Sequence, residues 1–138
     1  MLTDARGTPL VLVTTPANIS DGTEALYLLD SIPPIRGPRG RPRFRPDAFQ
    51  GDHAYGWKAN IAGTLQRGVR SQLARPQDRE HGSGLGKTRY VVEAGLSWFN
   101  NHRRIRMCYE RTGEHFQAFH ELAAALICHR KLLQGPKP

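Results

Sequence analysis

Cysteine is nearly absent, with two residues, Cys108 and Cys128, in 138. Two thiols make no disulfide framework, so the chain is expected to be cytoplasmic with both reduced. Apolar residues are also scarce, at 38% against about 45–50% in ordinary globular domains. A core is possible but not generous. Long hydrophobic runs are missing: Leu122 to Cys128, the longest near the C-terminus, falls far short of the ~20 residues a membrane span needs. The segment Met1 to Val13 is too short and too polar for a signal peptide. Acidic residues are few, with 12 Asp and Glu against 20 Lys and Arg, a net charge of +8. A small domain this basic is drawn to a polyanion, most commonly nucleic acid. An acidic membrane surface would instead need a basic amphipathic stretch, and none opens the chain.

What is present alternates strands with helices, which implies an α/β class in one domain. Asp4-Ala5-Arg6-Gly7 has hairpin chemistry, followed by a buried strand at Leu10–Val13. Ser20 or Asp21 can cap a helix, with Glu24 set for a capping box. Ala25, Leu26, Leu28, Leu29 and Ile32 give that helix an apolar side. Ile35 to Pro46 is rich in Pro and Gly and carries Arg36, Arg39, Arg41, Arg43 and Arg45, so it reads as a basic loop. A short strand, Ala48–Gly51, ends on Asp52. A helix over Trp57–Arg67 stops at Gly68. Val69, Ser71 and Leu73 alternate with polar residues, as a strand does. Helices over Thr88–Arg103 and Glu114–Leu133 follow. The second has Phe116, Phe119, Leu122, Ala123, Leu126 and Ile127 at helical spacing. Residues 134–138 are expected to form a disordered tail.

Two carboxylates are candidates for chemistry. Asp52 stands where a strand gives way to a loop, the edge where ligands collect in open α/β sheets; it could equally cap a turn. Glu93 lies among Val91, Val92, Leu96, Trp98 and Phe99. A carboxylate there is costly to bury unless it is paired or binds a metal. It could equally occupy a solvated face and pair with Arg89, four residues earlier. Arg89, Glu93 and Asn100 share one helix face.

The segments Thr88–Phe99 and Asn100–Arg106 resemble the third-carboxylate motif of insertion-sequence-five-type DDE transposases. Phe49–Gly56 resembles the family's second-aspartate motif. Leu2–Leu10 is similar to its second-to-third-strand hairpin, Pro33–Pro42 to its basic loop, and Ala123–Cys128 to its closing helix. The resemblance covers about residues 2–133 and implies a partial ribonuclease-H-like catalytic domain, lacking the first strand and most of the second. It implies that Asp52 and Glu93 are two of three ligands for Mg²⁺ or Mn²⁺, expected to bind only in a complete site. Arg89 would orient Glu93 or a phosphate.

The expected partners are transposon-end and target DNA and an N-terminal transposase part carrying the first aspartate; self-association is open. No membrane partner is expected. The pattern departs from the family at Asn100, where a basic residue is usual, at Gly86, where a tyrosine is usual, and at His53-Ala54 after Asp52. Asp4 reads as a turn residue. The arginines at 36, 39, 41, 43 and 45, with Arg103, Arg104 and Arg106, are read as phosphate contacts, ordinary solvated charge being the alternative. Two functions remain. One is the C-terminal catalytic portion of a transposase acting on DNA in the cytoplasm, on the nucleoid, and inactive alone. The other is a non-catalytic basic DNA-binding remnant. Gly82–Thr88 lacks the first glycine of a phosphate loop, which is His81 here. The histidines and cysteines from His102 to His129 have no zinc-finger spacing.

Overall fold

The computed structural model describes residues 1–37, 39–73 and 85–135; the side chains of 85–90 and of Val92 lie outside the description. Of the Gly82–Thr88 reading, residues 82–84 fall outside the described residues and 85–88 are helical. Two compact units are present, one of Met1–Thr14 with Gly86–Pro138, the other Thr15–Leu85.

In the first unit, β1 (Leu2–Thr3) pairs antiparallel with β2 (Pro9–Val11). Asp4 makes the turn. Its Oδ1 accepts the backbone N–H groups of Arg6 (2.8 Å) and Thr8 (2.7 Å). Gly7 sits at φ 72°, with Val91 Cγ1 only 3.2 Å from where a Cβ would stand. That combination of positive φ and close approach requires glycine. The strand expected at Leu10–Val13 is shorter and half-buried. Beyond it the side chain of Gln117 takes a strand's place: its Nε2 donates to Leu12 O (3.0 Å) and its Oε1 accepts from Thr14 N–H (2.9 Å).

α3 spans Leu85–Asn100, not Thr88–Arg103. His102 is extended and starts a separate turn, α4 (Arg103–Arg106), which carries the basic run. α5 spans Gly113–Gln134, with Thr112 Oγ1 accepting from His115 N–H at its start. Phe99, Ala123 and Ile127 form the buried centre, with Leu12, Trp98 and Ile105 against it. The inward face of α5 is narrower than the expected one. Ala123 and Ile127 are buried, while Leu122 and Leu126 are 57% and 42% exposed. Helical spacing gave two overlapping stripes, and packing chose the one with the smaller residue, alanine, at its centre.

In the second unit a 3-10 turn at Asp21–Glu24 leads into α1 (Ala25–Asp30). The expected capping box is absent. Ser20 makes no side-chain cap; instead its carbonyl accepts from the Thr23 hydroxyl (2.7 Å) and the Thr23 N–H (3.0 Å). Ala25, Leu28, Leu29 and Ile32 are buried, as the apolar pattern required. β3 (Ala48–Gly51) and β4 (Arg70–Leu73) run parallel, in register from Ala48–Arg70 to Gly51–Leu73. α2 (Lys58–Gln66) connects them, and Gly68 at φ 70° follows its end. Parallel strands need such a crossover. Phe49, Val69 and Leu73 are buried.

α2 buries Asn60, Gly63 and Thr64, at i, i+3 and i+4. This inward stripe is polar and is made tolerable by hydrogen bonds: Asn60 Nδ2 donates to Gly22 O (2.8 Å) and Tyr55 O (3.1 Å), and Thr64 Oγ1 to Asn60 O (2.7 Å). A Cβ on Gly63 would stand 2.5 Å from Leu26 Cδ1, so the glycine admits α1 at close range.

The fold is mixed α/β, with two small sheets among the described residues, β1–β2 and β3–β4. Among the described residues no helix is long and apolar enough to cross a membrane.

Candidate active site

Asp52 follows β3 at the carboxyl end of the parallel pair. It is exposed, and its Oδ1 accepts from Ala54 N–H (2.9 Å), starting a 3-10 turn at His53–Tyr55. The residue does cap a turn, and the cap fixes its carboxylate at the strand's end.

The turn is gripped from beneath. Asn60 holds Tyr55 O and Gly22 O together. A Cβ on Gly22 would stand 2.4 Å from Ala54 O, and one on Gly51 2.9 Å from Leu73 Cδ2. Half-buried Tyr55 has its phenol pushed above the ordinary range, first by burial and then by the charges of Asp21 and Asp52. Sequence reading missed Gly22, Asn60 and Thr64. The available signal was a run of Asn, Gly and Thr at helical spacing on a helix with little apolar face.

Glu93 belongs to the other unit, midway along α3, on an exposed face shared with Leu96, Ser97 and Asn100. The opposite face, Val91, Gly95 and Phe99, is buried. Glu93 is therefore on the solvated face and bears no burial cost. Arg89 lies one turn earlier on α3; its side chain is outside the described residues.

The basic residues divide by what already engages them. Ile35 and Arg43 exchange two backbone hydrogen bonds (2.9 and 2.8 Å) and close the loop between them. Arg43 is ion-paired with Asp47, and Arg45 Nη1 donates to Arg67 O (3.0 Å). Arg36, Arg39 and Arg41 are exposed on the loop. In α4, Arg104 pairs with Glu110 (2.8 Å) and lies over the Phe119 ring at 4.8 Å; Arg103 lies over Tyr109 at 6.0 Å. Arg106 is exposed. Among the described residues, no group of three or more His, Cys, Asp or Glu gathers to hold a metal ion.

Residues 1–128 match the family described as Transposase DDE domain. The chain belongs to this DDE transposase family. It is 42% identical over 132 residues to the protein of Burkholderia cepacia named as transposase for insertion sequence element IS402, across 96% of this chain. It spans 62% of that transposase's length. No solved structure matches.

Proposed function

We propose that this chain supplies two of the three metal-binding carboxylates, Asp52 and Glu93, of a transposase that cleaves and transfers the DNA strands of an insertion sequence. Membership of the DDE family carries the reading. Support comes from an exposed Asp52 at the carboxyl end of a parallel strand and an exposed Glu93 on α3. In this reading β3 and β4 are the fourth and fifth strands of a ribonuclease-H-like sheet.

Both residues fit a divalent cation in kind, since carboxylate oxygens are the donors Mg²⁺ or Mn²⁺ prefer. They fall short in number. Asp4 reads as a turn residue and not as the third ligand; its Oδ1 accepts the N–H groups of Arg6 and Thr8 within the hairpin turn. The first carboxylate is expected from an N-terminal transposase part, whether fused or supplied by a relative. The bound cations would activate the attacking water or 3′-hydroxyl and stabilise the leaving oxygen. The protein's share is positioning. The Ala54 N–H holds one oxygen of Asp52, so the carboxylate is aimed before any cation arrives. Arg89, one turn from Glu93, would orient it or a phosphate. Arg36, Arg39, Arg41, Arg43 and Arg45, with Arg103, Arg104 and Arg106, would grip phosphates without reading sequence.

The test uses labelled transposon-end DNA with Mg²⁺. The chain alone should not cleave it. The chain combined with the N-terminal part of a related transposase should. Cleavage by the lone chain that vanishes in Asp52→Ala would contradict the incomplete site. Failure of the combined protein, with DNA binding kept, would favour a non-catalytic remnant.

A further inference from the structure

We infer that Phe44 is a base-stacking residue, and that the arginine loop around it takes single-stranded DNA. The inference rests on the proposed DNA reading and names the form of the ligand. Phe44 is 60% exposed, on a strongly basic stretch. An isolated exposed apolar residue ordinarily needs no explanation. This one differs in how it is held.

On one side, Arg43 is hydrogen-bonded across the loop to Ile35 and ion-paired with Asp47. On the other, Arg45 donates to Arg67 O. Pro42 precedes this segment and Pro46 follows it, and a residue before proline is confined to extended backbone. The ring is thus presented on a stiff segment whose ordering cost is already met in the free protein. Phe44 directly follows the loop closed by Ile35 and Arg43, which carries exposed Arg36, Arg39 and Arg41.

A flat apolar face among cations matches a ligand with flat faces and regular negative charge. Acidic polypeptides supply the charge but not the faces. Duplex DNA hides its base faces within the stack. A single strand offers both, and stacking on an aromatic ring tolerates any sequence.

The experiment is fluorescence anisotropy on the full 138-residue chain, with a labelled oligothymidine and a duplex of equal length. Phe44→Leu keeps the apolar character but removes the aromatic face. It should weaken single-strand binding about five- to a hundredfold and leave duplex binding unchanged. Phe44→Trp should restore single-strand affinity. Replacing Arg36, Arg39 and Arg41 by Ala should lower the salt dependence on both ligands. If the arginine variant does so while Phe44→Leu binds like the parent, the stacking inference is wrong and the phosphate grip stands. If neither change has an effect, both readings of this loop fall. Displacement by polyglutamate as efficient as by oligothymidine would also overturn the stacking role.

Discussion

The two units hold their candidate carboxylates by different means. Asp52 is set by backbone: a strand end, a capped turn, and carbonyls tied down by buried Asn60. Glu93 is set by its place on a helix, on the exposed face of α3 opposite Val91, Gly95 and Phe99. A residue positioned by a turn depends on every contact that shapes the turn. A residue positioned by phase needs only that the helix forms and docks. The Asp52 unit should therefore lose its site geometry through small changes far from the carboxylate, and the Glu93 unit should resist them.

The largest expected effect is Gly22→Ala. The new Cβ would collide with Ala54 O, a backbone atom that cannot swing aside. Overpacking of this kind costs about 3 kcal/mol, and the turn bearing Asp52 should shift with it. Urea unfolding of the variant, followed by amide exchange at Ala54 and Tyr55, would measure both. Parent-like exchange there would break the contrast between the units. In the Glu93 unit, Gly7→Ala should cost about 1–2 kcal/mol, from positive φ and the approach to Val91. The loss should appear in unfolding with no change in the exposure of Glu93.

The smallest effect concerns Asp30, which receives two hydrogen bonds from the Arg67 guanidinium (both 2.6 Å). That bonding holds the Asp30 carboxyl below its ordinary value. A lowered folded value means the pair stabilises fully above the ordinary aspartate range and loses its contribution as pH falls through the folded value. Asp30 is more than half exposed, so solvent screens most of the gain. Asp30→Asn should lower the melting temperature slightly at pH 7 and not at all in strong acid. An equal loss at both pH values would point to packing rather than charge.

Much of this was legible in the sequence. Strand alternation placed β4, the Asp4–Gly7 turn chemistry placed the hairpin, and apolar spacing found the buried side of α1. α2 itself was legible, but not its inward face, because hydropathy sees only apolar stripes and that face is Asn60, Gly63 and Thr64. The apolar set of α5 was read too broadly: Ala123 and Ile127 are buried, but Leu122 and Leu126, equally at helical spacing, are exposed. Family motifs drew attention to Asp52 and Glu93, but not to Gly22 and Asn60, which meet each other across 38 residues of sequence.

We propose that Asp52 and Glu93 act as metal ligands, Asp52 while it also caps its turn. Asn is as good a cap as Asp, and Gln suits a helix as well as Glu. Asp52→Asn and Glu93→Gln should thus leave unfolding unchanged. In the combined transposase with Mg²⁺ and labelled end DNA, each should abolish strand cleavage while DNA binding persists. Cleavage at the parent rate by either correctly folded variant would contradict the account.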